Sequence, residues 1–114
     1  MSETTLIRYR LKPGKREQLY EWMETVETRR DEAIETLQTE GVFTEAAFLE
    51  SRDDGDYVSF YMEAEDLEEA TNAFEQSSHE LDRELKQLLQ EVVAEQQPTE
   101  NIEALYHLAN PDRP

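Results

Sequence analysis

The chain has 114 residues, room for one domain with a modest core and not for a second. It has no cysteine, which excludes a disulfide framework and thiol chemistry, and its 28 acidic against 11 basic residues (net charge -17) exclude nucleic acid as a partner. Glu3 and Arg8 interrupt the N-terminus before any apolar run, and no stretch approaches the ~20 apolar residues of a membrane span, so a cytoplasmic protein with no membrane partner is expected.

Thr4 to Lys12 reads as a first strand, with Ile7, Tyr9 and Leu11 on one face and Leu6, Arg8 and Arg10 on the other. Pro13-Gly14 ends it. Five cations, Arg8, Arg10, Lys12, Lys15 and Arg16, crowd this start against Glu3 alone. They pair with acidic neighbours or, for Arg8 and Arg10, line a pocket for an anionic or carbonyl-bearing ligand, a role suited to arginine's fixed donor fork. Lys15 to Thr39 reads as a long helix because Leu19, Trp22, Met23, Val26, Ala33, Ile34 and Leu37 recur at intervals of three and four, and Glu40-Gly41 stops it. Arg29 and Arg30 interrupt that stripe, as a pairing site or a bend would.

Phe43 to Ala64 reads as the central hairpin, two runs rich in aromatic and β-branched residues either side of residues 51–56, with Asp54-Gly55 as the turn. Its second run alternates: Val58, Phe60, Met62 and Ala64 face one way, and Tyr57, Ser59, Tyr61 and Glu63 the other. Asp66-Leu67-Glu68-Glu69 resembles a capped helix start. Leu67, Ala70, Phe74, Leu81, Leu85, Leu88 and Val92 carry helical spacing to about Glu95, with a break or kink expected near Ser78. Gln96 to Thr99 is a connector, Asn101 to Ala109 a last strand, and Asn110 to Pro114 a polar tail after a single domain over residues 1–109.

The order β-α-β-β-α-β predicts an α+β, ferredoxin-like fold, a four-stranded antiparallel sheet with two helices on one face. The other face carries Arg8, Arg10, Tyr57, Ser59 and Tyr61 beside Leu6 and Leu105, and burying it against a second copy satisfies both characters. This order, the length and the helix entry Lys12-Pro13-Gly14-Lys15-Arg16-Glu17 resemble the dimeric α+β-barrel superfamily that includes antibiotic-biosynthesis monooxygenase-like proteins. More narrowly, Glu40-Gly41-Val42, Glu45, Phe48-Leu49-Glu50, Gly55-Asp56-Tyr57 and residues 61–66 resemble an uncharacterised family frequent in halophilic archaea. The resemblance implies a homodimer with a ligand lumen between two sheets. It also casts the acidity as adaptation to concentrated salt, where the screening length shrinks to ~3 Å.

Candidate ligand-binding residues are Arg8, Arg10, Glu45, Tyr61, His79 and His107. His79 has Glu75 four residues before it and Asp82 three after, which on a continuous helix holds a divalent metal or orients a base. His107 falls opposite Tyr106 on the last strand, where haem-binding relatives need an axial ligand; the motif context is absent, so no cofactor is expected. Glu45, Glu50 and Glu63 pair with Arg8 or Arg10, or one of them acts as a general base beside Tyr61. The functional readings are a homodimeric small-molecule binding protein, a cofactor-free monooxygenase or isomerase acting on a small carbonyl or phenolic metabolite, and a structural or stress-related dimer. Catalytic residues are not assigned.

Overall fold

Alternation in the middle of the chain builds the sheet. A computed structural model, describing residues 2–95 and 102–114, contains β1 (Glu3–Arg10), α1 (Arg16–Thr28), α2 (Arg30–Glu40), β2 (Val42–Arg52), β3 (Gly55–Ala64), α3 (Leu67–Gln76) and α4 (Glu80–Val92). The strands form one antiparallel sheet in the order β1-β3-β2. The expected hairpin is β2–β3, closed by Arg52 opposite Gly55, whose φ of 140° is open to glycine at little steric cost.

Three of the four expected strands are described. Residues 102–109 form no strand, and the expected connector and Asn101 lie outside the described residues. Only the start of an edge pairing is made: Leu11 bridges Val93, Lys12 N–H donates to Val92 and Ala94 N–H to the Arg10 carbonyl. Beyond it the C-terminal segment is held by side chains, and its period-two pattern finds no ladder.

Both long helices are broken, each for a local reason. Arg29 leaves helical geometry between α1 and α2 (φ -111°, ψ 40°), and its guanidinium reaches Glu32 at 2.5 Å and Glu84 of α4 at 2.7 Å. The interrupting arginine is therefore both a bend and a pairing site. Asp66 caps α3, accepting from Glu69 N–H, and the chain is extended at Ser77 and His79 before α4 begins.

The helices lie on the sheet face that carries Ile7, Tyr9, Val58, Phe60 and Met62, but the core beneath them is divided. Leu11, Val58, Val92 and Val93 form one buried cluster, and Val42, Ala64 and Ala70 the other. Between the two, at the middle of the helix–sheet interface, the packing gives way to clefts. No helix among the described residues is long and apolar enough to cross a membrane.

Candidate functional site

Cross-strand pairing sorts the expected site residues by face. Arg8 stands opposite Ser59, Leu6 opposite Tyr61 and Arg10 opposite Tyr57, with Phe48, Ala46 and Glu50 on the same side of β2. This is the face away from the helices. Its polar groups are already paired: Arg8 Nε lies 3.3 Å from Ser59 Oγ and 3.4 Å from Glu50 Oε1. Arg10 is committed to the hairpin turn, where it donates to the Asp54 carbonyl and stacks over Tyr57, and Tyr57 donates to Asp54 at 2.7 Å. Glu63 is buried beneath the C-terminal segment, accepting from Ser2 at 2.7 Å, with His107 Nε2 at 3.7 Å and Arg113 at 3.5 Å. Tyr61, Leu6 and the exposed Phe48 remain as an apolar window.

Two expectations are corrected. Glu45 does not join Arg8 and Arg10; the register set at the hairpin turn runs unbroken to Thr44, pairs Glu45 with Met62 and so puts it on the helix side, opposite to Ala46, Phe48 and Glu50. Nor do His79, Glu75 and Asp82 form one helical face, because the helix breaks at His79, whose Nε2 lies 3.3 Å from Thr39 Oγ1. Among the described residues no three histidine, cysteine, aspartate or glutamate side chains are grouped to hold a metal ion.

The site the sequence does not announce is on the helix side. Two adjoining clefts, of about 240 and 220 Å3, share Glu45, Phe60, Asp82 and Leu85. The outer runs between α1, α2 and β2 past Trp22, Val26, Ile34 and Leu37. The inner lies under β1 and β3 against α3 and α4, walled by Ile7, Tyr9, Met62, Phe74 and Leu89, and closed at one end by Glu40.

Glu40 (9% exposed) and Asp82 (6% exposed) are nearly withdrawn from water. Among the described residues, Glu40 Oε2 and Asp82 Oδ2 are the buried side-chain atoms that receive no hydrogen bond from the rest of the protein, and the two carboxyls have only each other. Burial, a hydrogen bond shared with the Asp82 carboxyl and the nearby charges of Asp82 and Glu45 push the Glu40 carboxyl up to about 8, with Lys86 opposing. Desolvation and the Asp82 charge also raise Glu45. Lys86 does not close the pair, since its Nζ donates to the Glu75 carbonyl at 2.9 Å and sits over the Phe74 ring.

A cue to Asp82 was present in the sequence: it stands three and seven residues before Leu85 and Leu89, inside the apolar stripe of α4. Glu40 likewise follows Leu37 by three.

A family model matches residues 2–113. The chain belongs to DUF6176, a family of unknown function. Neither a curated protein nor a solved structure matches it. For this DUF6176 protein, chemistry is therefore read from two places: the apolar window on the open sheet face and the acid-lined clefts behind the sheet.

Proposed function

We propose that this protein binds a small organic molecule in the inner cleft between its sheet and its helices. One observation carries the reading: the lining of a mostly apolar space of about 220 Å3 includes two buried carboxyl groups that receive no hydrogen bond from the rest of the protein. Small-molecule sites have this composition, mostly apolar walls with few convergent polar groups. The space exceeds the ~150 Å3 cavity known to hold benzene. A carboxyl that keeps its proton near neutral pH also equips the cleft for proton transfer, as an isomerase requires.

Titration with benzyl alcohol, followed by amide chemical shifts, tests this. Shifts are expected to cluster at Ile7, Phe60, Phe74 and Leu85, and Leu85→Trp, which fills the cleft, is expected to weaken binding at least about tenfold. Shifts confined to Leu6, Phe48 and Tyr61 would move the site to the open face instead.

The open face favours a second, compatible reading: a homodimer of the monooxygenase-like kind, in a protein adapted to concentrated salt. Its support is Phe48, 57% exposed on the sheet, together with Leu105, Tyr106 and Leu108, each at least 80% exposed beside a face that lacks helices. Two chains of net charge -17 repel unless salt screens them. Sedimentation is therefore expected to show a dimer in 2 M KCl that dissociates in 0.1 M, with Phe48→Glu monomeric in both. A wild-type monomer in 2 M KCl sinks the dimer and its lumen, and equal dimerisation at both salts removes salt screening as the reason for the acidity.

A further inference from the structure

The inner cleft is asymmetric in its chemistry. Ile7, Phe60, Met62 and Phe74 supply apolar surface, whereas Glu40 and Asp82, also in its lining, carry buried oxygens that receive no hydrogen bond from the rest of the protein. Buried acceptors are costly to leave unmade, and the two belong to different carboxyl groups on different helices, α2 and α4. In the empty cleft a proton shared between the two carboxyls bridges them, and a ligand that displaces it must bring at least two donors from one small head.

We infer that the inner cleft takes a primary organic ammonium ion of about benzyl size, its apolar body among Phe60, Met62 and Phe74 and its N–H groups on Glu40 and Asp82. This rests on the reading of the cleft as a small-molecule site. An ammonium head has three donors and no acceptor, the complement of a carboxylate pair. Anions are repelled by Glu40, Glu45 and Asp82 together. A bare divalent ion needs six or more oxygen ligands in the case of calcium, and the described residues offer no three-ligand group. A planar guanidinium prefers both oxygens of one carboxylate, whereas the open acceptors here come one from each. Tyr9 and Phe60, packed edge-to-face with centroids 6.4 Å apart, make a rigid aromatic wall for the apolar body.

Binding of the cation is coupled to a proton. The charged and titratable groups around the head are Glu40 from α2, Glu45 from β2, Glu75 from α3, Asp82 and Lys86 from α4, and Tyr9 from β1. In the empty cleft one proton on Glu40 relieves the repulsion between Glu40 and Asp82. The arriving ammonium takes over that task, so Glu40 gives up its proton to solvent as the ligand binds.

Calorimetric titration of the full chain with benzylamine and with benzyl alcohol, in 0.5 M KCl at pH 7 and in two buffers of different ionisation enthalpy, tests the inference. Benzylamine is expected to bind about ten- to a hundredfold tighter than the alcohol, releasing up to one proton per ligand. Asp82→Asn is expected to bring the amine down to the affinity that the native protein shows for the alcohol, with a cooperative urea melt reporting that the variant is folded. Equal affinities for amine and alcohol overturn the ammonium assignment and leave the small-molecule reading standing. Binding of neither probe overturns both. Amine binding that survives Asp82→Asn places the cation on the acidic surface and overturns the inference.

Discussion

Replacing Glu40 by glutamine is expected to raise stability at pH 8 and to remove most of the decline that the native protein shows as pH rises from 5. The Glu40 carboxyl is held up to about 8 in the fold, by burial first and by Asp82 next. The folded chain thus holds a proton that the unfolded chain, titrating near the ordinary glutamate value, has already lost. Stability from that proton is complete below the unfolded value and drains away as pH climbs through the folded one. One proton gives a slope of at most about 1.4 kcal/mol per pH unit. Partial solvation of the cluster reduces the total to about 2–3 kcal/mol across the window. Glutamine keeps a donor for Asp82 and removes the titration, so urea melts of the variant should be nearly flat from pH 5 to 8. Parallel pH curves for native and variant protein would show that Glu40 is not the group that titrates.

The second large effect is expected at the opposite face. Glu63 is 2% exposed and accepts from Ser2 at 2.7 Å and Thr44 at 3.3 Å, with His107 and Arg113 within 4 Å. The Ser2 hydroxyl first, and the Arg113 cation after it, lower its pKa. Its contribution is accordingly present above the ordinary glutamate value and is lost as pH falls through the depressed one. Glu63→Ala leaves these donors without their acceptor and should cost about 2–3 kcal/mol in urea denaturation near pH 7. Arg113 is half exposed, so most of that loss comes from the hydroxyl bonds. The same substitution should move the amide resonances of residues 105–113 toward random-coil positions. Resonances that stay in place would mean that the C-terminal segment is anchored elsewhere.

These effects come from opposite faces, and only one face was readable beforehand. The alternation of Val58, Phe60 and Met62 against Tyr57, Ser59 and Glu63 is local and survives into β3. Asp66 before its glutamate and Ser77-Ser78 before His79 mark helix ends through backbone bonds within a few residues, and both ends are found. The position of Glu45 fails because the face of a β2 residue is set by the register counted back from the hairpin turn, which pairs Glu45 with Met62 on the helix side. The Glu40–Asp82 pair depends on two helices meeting, which no local pattern encodes. The last strand misleads for the reverse reason: Ile102, Ala104 and Tyr106 alternate, but a strand also needs a partner edge, and among the described residues the backbone pairing at the end of β1 is made by Val92 to Ala94.

The strand order also bears on how the chain reaches this state. β2 and β3 are joined by a two-residue turn, so their pairing closes almost no loop. β1 must find β3 across the whole of α1, α2 and β2, with Glu3 ending opposite Ala64. The hairpin is thus the most local pairing, and the loop that carries α1 and α2 is closed when β1 docks. The cleft exists only after that docking, since Ile7 and Tyr9 of β1 form its wall. Folding therefore assembles the binding space last.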